Sequence, residues 1–343
     1  APAMGRIEII KTDSETGALL PGAEFEVRAA EDIVTPDGTV RALKNEVVDA
    51  VMTDERGSAV SKDLYLGKYV VTETTQPSGY VLPEKSWEVE LTYQDQHTAI
   101  VTETLDVEND QTKVIINKKE TGSDKALPGV KFVVWNSVAP ESIGMIDEKL
   151  YVTDEKGQII LQGLVPGEYC VAEAESIPGY AFDPEKVYEF TVTEDGRING
   201  KGEYVLTIEN EKTKITETNA IEVLSDTQSA YPFKDVTIID TVSMANLMPG
   251  EEYVLKGVLA DQLTGIPLRE NNSLTGDEIT VEQEFLATEG SMDVEVTFEH
   301  LDLSVFAGRK IVVYEYLHQD GTEISVHNDL DDEKQQIQVM EPK

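Results

Sequence analysis

The chain writes one pattern twice, and that repeat limits what it can fold into. KTDSETGALLPG (11–22) returns as KKETGSDKALPG (118–129), GKYVVTETTQPSGY (67–80) as GEYCVAEAESIPGY (167–180), and VEN (107–109) as IEN (208–210). A pattern that recurs at domain length marks units that each close a core of their own. At 343 residues the chain should hold two or three of them, because single cores stop growing near ~250 residues. The boundaries expected are 6–111, 112–211 and, for the region that does not repeat, 212–341. The joints QTK (111–113) and EKTK (211–214) are short, which predicts an elongated rod of end-to-end domains instead of flexibly tethered ones.

Helical periodicity is scarce. Short alternating runs rich in Val, Ile, Thr and Tyr recur, such as RIEIIK (6–11), KYVVTE (68–73), EYCVAE (168–173), DVEVTFE (293–299) and KIVVYEY (310–316). Turn signals separate them: PDG (36–38), DERG (54–57), DEKG (154–157), EDG (194–196), MPG (248–250) and QDG (319–321). This is the pattern of an all-β chain of sandwiches. The nearest helical candidates, LDLSVF (301–306) and ESIGMI (141–146), are too short to change the class. Between LPG and TDE the first copy is seven residues longer than the second, an insertion expected to form a surface loop.

Strand alternation places Ile7, Ile9 and Lys11 on one face, and likewise Val114, Ile116 and Lys118. Tyr69 and Val71 share a face with Glu73, Tyr169 and Val171 with Glu173, Val107 with Asn109, and Ile208 with Asn210. Each copy therefore turns an amine, a carboxyl and a carboxamide toward its core. Left unpaired they would cost several kcal/mol, so they are expected to meet. Two readings fit: a buried Lys–Glu ion pair with a hydrogen-bonded Asn, or an amide bond from Lys to Asn with loss of ammonia. The second would draw on desolvation, which favours a neutral amine and a protonated carboxyl able to shuttle protons. Lys119 competes with Lys118 as nucleophile, although parity favours Lys118.

The K-x-D/E start, the LPGAEF (20–25) and LPGVKF (127–132) segments, the G-x-Y-x-V-x-E strands and the closing E-N resemble the CnaB-type (SpaA-like) domains of Gram-positive surface proteins and pilins. The resemblance spans both copies, with four motifs in fixed order. It implies immunoglobulin-like sandwiches, each sealed by a self-formed isopeptide bond between first and last strands. Lys11, Glu73 and Asn109 match that motif residue by residue, as do Lys118, Glu173 and Asn210. Glu120 stands where the first copy has Asp13, outside the triad.

The third region lacks those motifs but also reads as a β-sandwich. Residues 238–265, VTFEHLDL (296–303), VVYEYL (312–317) and HNDLDDEKQQIQV (327–339) resemble the VaFE-type domains of the same surface proteins. That resemblance implies an ester between a Thr on the first strand and a Gln on the last. The candidates are Thr218 (in TNA, 218–220) and Gln335, assisted by Asp240, Glu315 and His327. An alcohol needs a base, and His327 would supply it. VVYE departs from the V-A-F-E pattern; Thr216 competes with Thr218, and Gln336 with Gln335.

Composition narrows the remaining options. With 66 acidic and 28 basic residues the net charge is −38, which excludes nucleic acid and disfavours anionic membranes as partners. No D-x-[DN]-x-[DN]-G calcium loop occurs, and no cofactor is implied. Cys170 is the only cysteine; it faces away from Glu173 and is expected to be a packing residue. No leader, sorting signal or membrane run is evident, so the chain is expected to be part of a longer, extracellular, wall-anchored protein. The function implied is a stalk whose partners are neighbouring domains of the same protein. The alternative is an adhesive module for a host matrix protein or glycan, served by Trp87, Trp135 and the loop around residues 30–50. A turnover enzyme does not fit, because the reacting groups would be consumed once. YPFK (231–234) makes Lys234 a weak counterpart of a pilin polymerisation site.

Overall fold

The computed structural model describes residues 2–136 and 150–342; ESIGMI lies outside them. Among the described residues, helix is confined to three short 3-10 turns, Glu270–Asn272, Leu303–Phe306 and Glu333–Gln335. The second of these falls on LDLSVF. Everything else regular among the described residues is β-strand, and the strands gather around three large hydrophobic cores, with a smaller apolar cluster of Val258, Ala260, Val312 and Tyr314 in the third unit.

In the first unit one sheet orders Ile100–Asn109, Met4–Asp13 and Ser58–Val60; the facing sheet orders Val47–Met52, Glu24–Ala29, Gly67–Thr75 and Ser86–Leu91. Ile7 and Ile9 from the first sheet pack against Phe25, Val27, Tyr69 and Val71 from the second. The second unit repeats the plan. Gln158–Gln162, Lys113–Glu120 and Glu203–Lys212 form one sheet, and Tyr151–Val152, Lys131–Asn136, Gly167–Glu175 and Val187–Val192 the other. Polar–apolar alternation explains the layering: the two first strands, Met4–Asp13 and Lys113–Glu120, bury nearly every second residue.

First and last strands lie side by side and parallel in both copies. Lys11 sits opposite Val107 and Asp13 opposite Asn109; Lys118 sits opposite Ile208 and Glu120 opposite Asn210. A parallel pair cannot be joined by a tight turn, so the whole domain acts as the crossover between them. The third unit is built differently. Its first strand, Lys214–Glu222, belongs to a sheet with Val236–Ala245 and Ser291–Leu301. Its last, Gln336–Val339, belongs to the facing sheet beside Lys310–Gln319.

The insertion in the first unit is more ordered than a loop. Ile33–Val34 and Val40–Ala42 pair as a small antiparallel ribbon. Trp87 is half-buried against the first core, and Trp135 is half-buried on its strand. Cys170 is buried with a free thiol.

Phe132 is completely buried in the second core. Phe132→Ala should cost about 3–5 kcal/mol, lowering the unfolding midpoint of the second unit in scanning calorimetry and leaving the third unit's transition in place.

Candidate cross-linking sites

All six residues expected in the two triads are buried and converge in threes. Lys11 and Lys118 are fully buried, and Glu73, Glu173, Asn109 and Asn210 nearly so. Lysine and asparagine come from adjacent strands of one sheet, while the glutamate reaches across the core from the other. In the first unit Asn109 Nδ2 donates to Glu73 Oε1 at 2.7 Å, Lys11 Nζ lies 3.8 Å from Glu73 Oε2, and Lys11 also donates to Val107 O at 3.3 Å. In the second, Asn210 Nδ2 donates to Glu173 Oε1 at 2.6 Å and Lys118 Nζ lies 2.9 Å from Glu173 Oε2. Lys118 Nζ also donates to Asn210 Oδ1.

Burial sets the ionisation. Desolvation pulls Lys11 down to about 8 against the opposing attraction of Glu73, and pushes Glu73 up to about 7 against that of Lys11. Lys118 is lowered and Glu173 raised for the same reason. Glu73 Oε2 and Asn109 Oδ1 are buried and, among the described residues, without a hydrogen-bond partner. Such atoms favour the neutral pair over a Lys⁺–Glu⁻ contact. In the second unit the amine meets the carboxamide whose nitrogen the carboxyl holds, and in the first, amine and carboxamide converge on the same carboxyl.

Lys119 does not compete. It lies partly exposed on the outer face, 3.3 Å from Glu209. Asp13 and Glu120 stay outside the triads but are not idle: Tyr80 Oη donates to Asp13 Oδ2 at 2.9 Å, and Tyr180 Oη to Glu120 Oε2 at 2.5 Å.

In the third unit Thr218, Asp240, Glu315 and Gln335 are all fully buried. Thr218 lies opposite Val242 and Asp240 opposite Ala220, which puts them on one face of the first sheet. Glu315 projects from the facing sheet, flanked by Gly257 and His327 on its neighbouring strands. Gln335 ends the 3-10 turn packed against the strand of Thr218, and its Nε2 donates to Val313 O at 2.6 Å. Desolvation raises Asp240 to about 7 and raises Glu315 well above the usual carboxylate range, the Asp240 charge adding to the latter. Thr218 Oγ1, Gln335 Oε1 and both carboxylates have no hydrogen-bond partner among the described residues.

His327 is placed differently. It is half-buried at the rim with Nε2 2.8 Å from Asp332 Oδ2, and no hydrogen bond joins it to Thr218. Thr216 is exposed and donates to Ser243 O, so it lies away from the buried cluster. Gln336 donates to Leu330 O at 2.8 Å. Lys234 is exposed beside the stacked rings of Tyr231 and Phe233.

Several contributors escaped the sequence reading. Ser176 accepts from Asn210 Nδ2 at 3.0 Å, but the first copy has Gln76 there, so comparing copies hid it. Gly57 and Gly157 read only as turns. In fact Lys11 N and Lys118 N each donate to those glycine carbonyls at 2.8 Å, and a Cβ on either glycine would strike the lysine's own carbonyl. The repeated D-E-x-G was the available signal. Gly257 makes room for Glu315: a Cβ there would lie 2.8 Å from Phe298 and Val296 and 3.2 Å from Glu315 Oε1.

The family model of the SpaA prealbumin-like fold domain matches residues 5–105 and again residues 112–212, more than half of the chain. The chain belongs to the SpaA prealbumin-like domain family. Behind its two SpaA domains, residues 212–339 match the model of the T-Q ester bond containing domain. Colossin-A of Dictyostelium discoideum is 25% identical over 199 residues, covering 54% of this chain and 2% of colossin-A. Among solved structures, the Bacillus anthracis TIE protein is similar at 18% identity over 99% of this chain and 49% of its own, with a TM-score of 0.34. The shaft pilin spaA from Lactobacillus rhamnosus GG is similar at 16% identity over 63% of this chain and 100% of its own, with a TM-score of 0.27. A Mobiluncus mulieris adhesin containing intramolecular disulfide, isopeptide and ester cross-links is 16% identical, covering 38% of this chain and 57% of its own, with a TM-score of 0.30. The chain thus spans about half of the TIE protein's length and a small fraction of colossin-A.

Gly257→Ala in this T-Q domain should destabilise it by about 1–3 kcal/mol through overpacking against Phe298. Calorimetry should show a lower transition for the third unit, with the two SpaA transitions unmoved.

Proposed function

We propose that this chain is a load-bearing stalk segment of a Gram-positive cell-surface protein, made of three self-sealing domains at 6–111, 112–211 and 212–341. Amide bonds join Lys11 to Asn109 and Lys118 to Asn210, and an ester joins Thr218 to Gln335. The observation that carries this reading is the coincidence, in both copies, of a fully buried lysine with a carboxyl that holds the asparagine amide nitrogen.

The chemistry follows from the ionisation. The neutral lysine Nζ attacks the asparagine Cγ while the protonated glutamic acid stays beside its Nδ2. As the Cγ–Nδ2 bond breaks, the carboxyl passes a proton to the departing nitrogen and recovers one from the attacking amine. One C–N bond replaces another and ammonia leaves. In the third domain the Thr218 hydroxyl attacks Gln335 Cδ. The hydroxyl proton passes to the ionised member of the Asp240–Glu315 pair while the protonated member gives one to the leaving nitrogen; His327, bonded to Asp332 at the rim, is not in contact with Thr218. Each event happens once, so none of these groups turns over a substrate.

Each bond closes nearly a whole domain. By analogy with a disulfide around a loop of that size, it removes about 4–5 kcal/mol of unfolded-state entropy. Mechanics gives the larger effect. Where first and last strands are parallel neighbours, tension enters one and leaves by the other, and a bond between them carries it past the hydrogen-bond ladder. An extracellular location suits a chain that must resist proteolysis and extension with its lone cysteine unpaired.

A second reading, direct adhesion to a host matrix protein or glycan, draws support from the inserted ribbon, where Val34, Val40 and Leu43 are each more than half exposed. A binding screen against matrix proteins and glycans, repeated after trimming residues 30–50, tests it; a hit lost on trimming would establish that role.

Intact mass of the denatured chain should fall short of the sequence mass by three ammonia molecules. Glu73→Ala and Glu173→Ala should each restore one, and hydroxylamine should open the ester alone. A full sequence mass would overturn the proposal, and a deficit of two would remove the ester. On refolding chain recovered unfolded, closure of the first domain should follow a bell-shaped pH profile peaking between the Glu73 value of about 7 and the Lys11 value of about 8. Below it the amine is protonated; above it the carboxyl is ionised. Mass after acid quenching reads the rate.

A further inference from the structure

Both SpaA domains end in a matching joint that the cross-link chemistry does not use. Each has a tight Gly-Tyr loop (79–80, 179–180), and each last strand runs into a Thr-Lys step (112–113, 213–214). Thr112 and Thr213 are buried although they lie between units. Thr112 N donates to Gly79 O at 2.9 Å, while its hydroxyl donates to Gly196 O of the next domain at 2.8 Å. Thr213 N donates to Gly179 O at 2.8 Å, and its hydroxyl to Asn246 O of the third domain at 2.6 Å. Each threonine ties backward through its backbone and forward through its side chain.

The loops around it are shaped for close approach. A Cβ on Gly79 would lie 2.7 Å from Gly163 O, and one on Gly179 would lie 3.0 Å from Ile324, both in the following domain. Gly179 N also donates to the buried Gln319 side chain of the third domain at 2.8 Å. Behind the loop, the tyrosine is held by Asp13 in one copy and Glu120 in the other. Those acids sit opposite Asn109 and Asn210 in register, so the joint is anchored at the same strand end as the triad.

We propose that the Gly-Tyr loop and the joint threonine form an interdomain clasp, which grips a loop of the following domain so that successive domains move as one body. Its partner is the next domain of this same chain, whose backbone carbonyls the threonine hydroxyls engage, with the Gln319 side chain adding a bond at the second joint. Charge complementarity plays little part at the threonine: the groups it engages are neutral carbonyls. The clasp stands on hydrogen bonds and close packing, and it holds whether or not the triads react.

The test uses the full chain with spin labels at Glu90→Cys and Glu155→Cys, both exposed, with the buried Cys170 left in place. Double electron–electron resonance should give one narrow distance. Thr112→Val should broaden it toward the distribution of a variant carrying a Gly-Ser insertion at the joint. It should also speed amide exchange at residue 112 by about tenfold, while Thr112→Ser restores both. Domain unfolding midpoints and intact mass should stay unchanged, separating loss of the clasp from loss of fold. A wild-type distribution as broad as the insertion variant's would overturn the proposal. So would a Thr112→Val protein with unaltered distance and exchange.

Discussion

Desolvation of one amine and one carboxyl is the constraint around which each SpaA domain is arranged. Removing both groups from water destabilises their charged forms by more than their mutual attraction returns. The two strands that carry lysine and asparagine must therefore be neighbours, and the sheet carrying glutamate must face them. Large apolar residues on either side of each polar group exclude the water that would otherwise relieve the strain. The T-Q domain applies the same principle to two carboxyls, Asp240 and Glu315, whose burial and mutual repulsion keep at least one of them protonated.

The two copies solve the problem with different tightness. Asn210 has Ser176 as an additional acceptor and Lys118 lies within hydrogen-bond range of Glu173, whereas Lys11 stands farther from Glu73 and leans on the Val107 carbonyl. Both nevertheless keep the carboxyl on the amide nitrogen, the contact that matters for a leaving group. What is held constant across the repeat is the chemistry at the asparagine; what varies is the approach of the lysine.

Much of this was legible in the residues because strand parity is a local property. Alternation alone put Ile7, Ile9 and Lys11 on one face, distinguished Lys118 from Lys119, and turned Glu73 and Glu173 inward. What parity cannot supply is which strand lies beside which. Gly257 matters only because it neighbours Glu315, and Asp332 only because the chain folds back on His327. The choice between Thr216 and Thr218 likewise turned on a β-bulge between Ile215 and Glu217, which resets parity ahead of Thr218. The inserted segment was expected as a loop because its pairing is too short to leave a periodic trace.

The glutamate's position in the opposite sheet has a consequence for biogenesis. Lysine and asparagine can become neighbours as soon as two strands pair, but the carboxyl arrives only when the second sheet docks and expels water. On the proposed chemistry, closure would be conditional on a finished core, and a chain caught half-assembled would stay open. The bond, once made, would remove the route back. A domain sealed in this way would carry a permanent chemical record that it folded correctly, written by the fold itself and legible to any protease that later tests the surface.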